Sequence, residues 1–311
     1  MSGALPKLIA VVGTNASGKS SLAISLARSL GGEVISADSR QVYRGLAELL
    51  IQLDHRGLDL GSGKVTAQEM QGVPHHLLDV CDPGTFFTMA DFQRLAYRAI
   101  DDVLARGRVP VLAGGTGLYV DAVCDGYVLS NIEPDLSYRR ELERLPTPQL
   151  CAMLQAAAPG NAIDPQNRNR MMRALEKLHD GDTLPAQKCP RYDVLRLGVT
   201  WDRPTLCARI DERLARRVQQ GMLEEVDGLL QAGVSPDFLY RLGLEYRFIS
   251  QYLLGQFATQ EEMLEALSRA IKRFAKRQMT WFRRDTRIHW LDMRADPLSE
   301  AQGLCAQFLA E

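Results

Sequence analysis

Lys19 and Ser20 close the run Gly13-Thr14-Asn15-Ala16-Ser17-Gly18-Lys19-Ser20, which fits the spacing G-x-x-x-x-G-K-[ST]. Residues of these types hold phosphate. Glycines let successive backbone N–H groups point inward, a following helix adds partial positive charge, Lys19 supplies a mobile cation, and the Ser20 hydroxyl can sit on Mg²⁺. A second candidate is Asp38 in Ala37-Asp38-Ser39-Arg40-Gln41-Val42-Tyr43-Arg44-Gly45. Its carboxylate could accept a proton or a hydrogen bond from a nucleophile aimed at the phosphate-bearing molecule; the plain alternative is a turn residue or helix cap. The third is Gly114-Gly115-Thr116-Gly117. Nucleotide hydrolases of this kind place a magnesium-holding acidic residue at the end of a second strand. Here that strand ends in glycines, which favours a loop that grips a diphosphate leaving group over one that positions a triphosphate for hydrolysis.

These residues need elements to carry them. Leu8–Val12, Glu33–Ser36, Val109–Ala113, Val194–Thr200 and Arg287–Leu291 read as short strands bounded by Gly, Pro, Asp or Arg. Lys19–Leu30, Met89–Ala105 and Pro204–Gln220 have helical spacing, and the alternation predicts an α/β fold, a P-loop NTPase-like parallel sheet flanked by helices. In such a sheet Asp38, at the C-terminal end of the second strand, lies beside the phosphate loop. Residues 131–190 differ: Leu, Ala, Arg and Met recur at helical spacing among several prolines, with no convincing strand. They are expected to form an all-helical insertion domain, with residues 1–130 and 191–311 making the core domain and its helical C-terminal part.

Composition narrows the function classes. With 37 basic and 38 acidic residues the net charge of −1 identifies no partner, and 46% hydrophobic content suits an ordinary globular core. The six cysteines are scattered without metal-ligand spacing, no charged leader precedes a long apolar segment, and no stretch approaches the ~18 apolar residues of a membrane span. A cytoplasmic protein without a membrane partner is expected. The pair His75-His76 imitates a metal site, but adjacent residues on an extended segment face opposite ways, so structural roles are expected. Lys272, Arg273, Lys276, Arg277, Arg283, Arg284 and Arg287, with Phe274, Trp281 and Phe282 interleaved, make a basic run in which Ile271, Phe274, Ala275 and Met279 can pack inward. Such a face suits RNA phosphates, or is simply solvated.

GTNASGKS, ISADSRQVYRG, LDLGSGK, PHHLLD, GGTGLY, RMMRALE and AKRQMTWFRRD stand in the order and approximate spacing of the tRNA dimethylallyltransferases, also called tRNA isopentenyltransferases, and the resemblance covers nearly the whole chain. It implies a Mg²⁺-dependent transfer of the dimethylallyl group from dimethylallyl diphosphate to N6 of the adenosine immediately 3′ of the anticodon. By the same resemblance, Asp38 is the base or amine-orienting group, and Asp38, Ser39, Arg40 and Gln41 line the site for the target base. Lys19, Ser20 and the backbone of Asn15–Gly18 bind diphosphate and metal, with Thr14 or Ser17 as a source of a hydroxyl. Thr116 contacts the tRNA near the chemistry, and Arg139 steadies the departing diphosphate or the RNA. Asn169, Arg170, Met171, Met172 and Arg173 match a tRNA-contacting helix start, and Lys276 and Arg277 join the RNA surface. The partners implied are dimethylallyl diphosphate and a tRNA anticodon stem-loop, met by a monomer.

The chain departs from that family twice. Its phosphate loop begins Gly13-Thr14-Asn15 where the family usually has Gly-Pro-Thr, and Ala47–Leu58 intervene between the YRG segment and Asp59-Leu60-Gly61. The extra residues are read as a solvated loop. Three other functions compete: a P-loop small-molecule kinase, which leaves ADSRQVYRG and the basic helix unexplained; a transferase for free adenine nucleotides, which does not need the helical insertion; and an RNA-binding protein with a vestigial site, which does not need Lys19, Ser20 and Asp38.

Overall fold

A computed structural model describes residues 4–44, 59–85, 87–129, 135–181 and 187–311. The inserted stretch Ala47–Leu58 lies outside them. Six parallel strands, β1 (Lys7–Val12), β2 (Glu33–Ser36), β3 (His75–His76), β4 (Pro110–Gly114), β5 (Asp193–Thr200) and β6 (Ile288–Asp292), form one sheet in the order β3-β2-β4-β1-β5-β6. The five longer strands are those the apolar runs predict, each shifted by no more than a residue at either end. β3 escapes such reading because it is two residues long and polar.

The central strands are apolar on both faces, as a sheet covered on both sides requires. Helices Lys19–Ser29 and Pro297–Ala310 pack Leu22, Leu26, Ala301 and Cys305 against Ile9, Val11 and Leu197 on one face. Helices Met89–Ala105 and Gly117–Cys124 pack Phe92, Ile100, Tyr119 and Val123 against Leu8, Ala10 and Leu112 on the other. A third cluster joins the helices Arg203–Gln219, Met222–Gln231, Pro236–Leu242, Leu244–Leu253 and Gln260–Phe282 around Tyr246, and Ala16 of the phosphate loop belongs to it.

Strand register decides what meets at the sheet's C-terminal edge. Val12 pairs with Gly114 and Ser36 with Ala113, so β1, β4 and β2 stop at the same level. The phosphate loop, the Gly-Gly-Thr loop and the Asp38 loop therefore emerge side by side, in the crevice where open parallel sheets bind ligands.

The chain divides into two compact units, residues 1–124 with 190–311, and residues 125–189. The second begins at Asp125, not at the expected 131. Its helices Leu136–Arg144, Thr147–Ala157 and Arg168–His179 start at the capping residues Asp135, Pro146 and Asn167, and Leu142, Leu150, Leu154 and Leu175 form their core. Met171 and Met172, expected to meet RNA, are buried in that core, so their side chains serve packing instead. Among the described residues no helix is long and apolar enough to cross a membrane.

Candidate active site

The phosphate loop owes its shape to two residues in the left-handed region, Ala16 at φ 58° and Gly18 at φ 90°. No side chain caps the Lys19–Ser29 helix and no acidic residue occupies its first turn, so its N-terminal N–H groups face an anion unopposed. Trp201 Nε1 donates to the carbonyl of Ser17 at 2.9 Å and Arg209 Nε to that of Ala16 at 3.1 Å. Both carbonyls are thereby occupied by donors. Gly13 has no room for a side chain, because a Cβ there would stand 2.6 Å from Val199 Cγ2 and 2.7 Å from Ser17 Oγ.

The cradle is shorter than the motif. Thr14 is fully buried with its hydroxyl donating to the carbonyl of Asn15 at 3.3 Å, and the N–H of Asn15 donates to Gln278 Oε1 at 3.0 Å. These groups are spent inside the protein. A cavity of about 1020 Å³ opens at Ala16, Ser17, Gly18, Lys19 and Ser20. Ser17 Oγ is buried and finds no hydrogen-bond partner among the described residues.

Across the cavity stand Arg209, Arg213, Arg216 and Arg217, all on the Arg203–Gln219 helix. Arg213 makes no hydrogen bond or ion pair among the described residues. Burial, with Arg217 and Arg40 close by, disfavours its charge, and the same burial lowers Arg217. Room for the two guanidinium groups comes from Gly63, at φ 71°, where a Cβ would collide with both. The loop that carries Gly63 is clamped by Glu225, whose carboxylate accepts the N–H groups of Asp59, Leu60 and Gly61 at 2.9 to 3.1 Å and the Tyr246 hydroxyl at 3.1 Å.

Asp38 is not among the residues that line this cavity, but its charge acts on Lys19. Its Oδ1 accepts the backbone N–H of Arg40 at 2.9 Å and faces Arg40 Nε at 3.5 Å. Burial pushes the Asp38 carboxyl up, but Arg40's charge and N–H bonds, with Lys19, outweigh it and hold the group below its ordinary range. Arg40 also binds Glu245 at 2.9 Å, and Glu245 faces Arg217 at 3.6 Å. Lys19 is lowered to about 8 by burial, against the pull of Asp38 and with the help of Arg213, Arg40 and Arg217. Four cations, Lys19, Arg40, Arg213 and Arg217, thus stand against three carboxylates, Asp38, Glu245 and Glu225. The surplus positive charge is suited to a polyanion.

Of the remaining candidates, Thr116 reaches this centre: its Oγ1 accepts the N–H of Ser39 at 3.2 Å. Gln41 is turned inward, accepting from Ser36 Oγ at 2.8 Å and donating to the carbonyl of Gly63 at 3.1 Å. Arg139 belongs to the helical unit, where it and Arg173 each bind one oxygen of the buried Glu176 at 3.0 Å. Asn169 and Arg170 are exposed there. On the Gln260–Phe282 helix, Arg273, Lys276 and Arg277 are exposed, while Lys272 is paired with Asp211 at 2.6 Å. Its buried residues are Met263, Leu267, Ala270, Ile271, Ala275, Gln278 and Phe282; Phe274 and Met279, expected inside, are only half-buried. Three tyrosines near these segments are taken up by packing: Tyr43 against Phe238, Tyr119 on Phe92 and Tyr138 on His179. His76 binds Glu33 at 2.6 Å and His75 the carbonyl of Val73 at 2.8 Å.

Arg213, Arg217, Glu245 and Gln278 were not legible as site residues. One signal existed. Arg209, Arg213 and Arg217 recur every four residues, which puts three cations on one face of a helix.

A phosphate loop at the edge of a parallel sheet, faced by arginines and an acidic loop, is a site for a phosphate-bearing ligand. The profile of the family described as IPP transferase matches residues 55–285, and the chain belongs to that family. It is 45% identical over 302 residues to tRNA dimethylallyltransferase 2 of Shewanella sediminis, covering 94% of this chain and 96% of that one. It is 41% identical over 301 residues to tRNA dimethylallyltransferase 1 of Geotalea uraniireducens, covering 95% of each. Among solved structures it resembles the full-length tRNA isopentenylpyrophosphate transferase of Bacillus halodurans, with TM-score 0.73 and 38% identity over 98% of this chain and 97% of that one.

Proposed function

We propose that the protein transfers the dimethylallyl group of dimethylallyl diphosphate to N6 of the adenosine immediately 3′ of the anticodon in tRNA. The observation that carries this reading is Arg213, half-buried opposite the phosphate loop and without a hydrogen bond or ion pair among the described residues, in a pocket where cations outnumber carboxylates and with no acidic residue at the end of β4. A pocket so built binds a diphosphate and stabilises the charge it gains on leaving. The N6 lone pair attacks C1 of the allyl group, the C1–O bond breaks, and diphosphate keeps the bonding electrons between residues 16–20 and Arg213 with Arg217.

Once the C1–N bond has formed, the extra proton on N6 passes to the Asp38 carboxylate and on to water. Asp38, held as a carboxylate by Arg40, accepts a hydrogen bond from the amine, orients its lone pair, and balances the positive charge that grows on nitrogen. Its depressed pKa suits that role better than ground-state proton abstraction. Thr116, on the neighbouring loop, holds Ser39 and with it the Asp38 turn.

Mg²⁺ fits the donors present. Among the described residues no cluster of three His, Cys, Asp or Glu could hold a metal, but a loop serine beside a diphosphate is what a cation that prefers phosphate oxygens and water requires. Ser20 would hold it, and the ion would neutralise charge on the leaving group. The tRNA is read as a substrate of both units, through Asn169, Arg170, Arg173 and Arg139 on one and Arg273, Lys276 and Arg277 on the other. The enzyme acts as a monomer in this reading.

Asp38→Asn tests the chemistry. The amide fits the same space but loses the charge, so single-turnover transfer at saturating tRNA and dimethylallyl diphosphate should fall by about 10²–10⁴-fold while both substrates bind within a few-fold of the parent. An unchanged single-turnover rate returns Asp38 to the role of a turn residue.

A further inference from the structure

Gln278 is a polar side chain at an inward position of an amphipathic helix, 7% exposed, and no step of the proposed reaction uses it. A buried carboxamide costs stability unless both of its ends are satisfied. Both are, by two different loops. Oε1 accepts the N–H of Asn15 in the phosphate loop at 3.0 Å, and Nε2 donates to the carbonyl of Gly115 in the Gly-Gly-Thr loop at 2.8 Å. Gly115 admits the carboxamide by having no side chain: a Cβ there would stand 2.7 Å from Gln278 Nε2, and 3.2 Å from the carbonyl oxygen of Gly13.

The residues that follow each bonded atom are those of the proposed chemistry. Asn15 leads into the cradle of residues 16–20, and Gly115 into Thr116, whose hydroxyl holds Ser39 next to Asp38. One carboxamide therefore ties the loop that would hold the leaving group to the loop that would steady the acceptor amine. We propose that Gln278 is a positioning residue of the transfer, setting the separation between diphosphate and amine without touching either. The inference rests on the reaction proposed above. It also accounts for Asn15 withholding its N–H from the phosphate cradle.

Because alignment of reacting atoms is worth far more than affinity here, loss of the tie should appear in the rate of the bound complex: a misplacement of about 1 Å costs on the order of 10²-fold. The test uses full-length Gln278→Met, which keeps the volume and loses both bonds, and Gly115→Ala, which displaces the carboxamide from the other side. Melting temperature, binding of dimethylallyl diphosphate alone, and single-turnover transfer to saturating tRNA are measured for each and for the double variant. The expected result is single-turnover rates about 10²-fold down in both single variants, dimethylallyl diphosphate bound within about 3-fold of the parent, and a double variant no slower than the slower single one, since both remove one interaction. Should Gln278→Met not fold, Gly115→Ala alone gives the same reading. Rate losses that disappear at saturating substrate, or that multiply in the double variant, overturn the proposal.

Amide exchange at Asn15 separates this inference from the reaction it rests on. Its N–H should exchange faster in Gln278→Met than in the parent, whatever the substrate is. A parent unable to prenylate tRNA while Asn15 shows that acceleration refutes the reaction and keeps the tie; unchanged exchange at Asn15 refutes the tie.

Discussion

Lys19 illustrates how a motif residue acquires its chemistry from neighbours far away in sequence. Burial, with three arginines near it and only Asp38 in opposition, lowers it to about 8, so the free enzyme holds a lysine close to losing its proton. Bound diphosphate must favour the charged form, and binding near pH 8 therefore takes up a proton. The sign follows: kcat/KM for dimethylallyl diphosphate, which reports the free enzyme, should fall as pH rises through about 8, while kcat, which reports the loaded enzyme, stays level to higher pH. Asp38, held below its ordinary value of 3.8, should add no acid limb above that pH. Steady-state profiles from pH 5 to about 9.5 check both limbs; a kcat/KM that is flat across this range contradicts the assignment of Lys19 to the diphosphate.

At the scale of elements, the Gln260–Phe282 helix divides its faces between two tasks. Ile271, Ala275, Gln278 and Phe282 recur at intervals of three or four residues and face inward, which leaves Arg273, Lys276 and Arg277 in solvent. Replacing Lys276 and Arg277 by alanine should lower tRNA affinity and flatten its salt dependence by about one unit of log–log slope for each RNA phosphate that is no longer neutralised. Dimethylallyl diphosphate should bind as before. Equal tRNA binding by variant and parent across a salt series makes these two residues an ordinary solvated face. The helix Arg203–Gln219 shows the reverse division: its arginines at 209, 213 and 217 face the cavity, and their number is what sets the charge surplus there.

For the molecule as a whole, the sheet and its flanking helices are complete without residues 125–189, which have their own core of Leu142, Leu150, Leu154 and Leu175. The two ends of that unit come together, with the N–H of Cys189 donating to the carbonyl of Gly126 at 2.7 Å. Replacing the unit by a short glycine-serine linker should therefore leave a cooperatively folding protein that binds dimethylallyl diphosphate but has lost most of its affinity for tRNA. Thermal melting and titration with each substrate check this. Undiminished tRNA affinity would assign RNA recognition to the first unit alone.

What the chain determines by itself is whatever depends on near neighbours. The phosphate loop, the apolar strands β1, β2, β4, β5 and β6, the Met89–Ala105 helix and the helical nature of the insertion follow from glycine placement, apolar runs and periodicity, each set within a dozen or so residues. The family resemblance is of the same kind, since it is carried by short motifs in order. Tertiary structure alone decided which of the motif residues face the cavity. Thr14 and Asn15 belong to the loop yet turn inward, and Met171 and Met172 sit in an arginine-rich segment yet fill a core, because their orientation is settled by packing partners and not by local pattern. Arg213, Arg217 and Glu245 enter the site from helices some two hundred residues beyond the phosphate loop, brought there by a helical cluster that includes Ala16. Gln278 is the sharpest case. A glutamine among lysines and arginines reads as one more polar residue, and only the register of its helix against the sheet places its two ends on two loops at once.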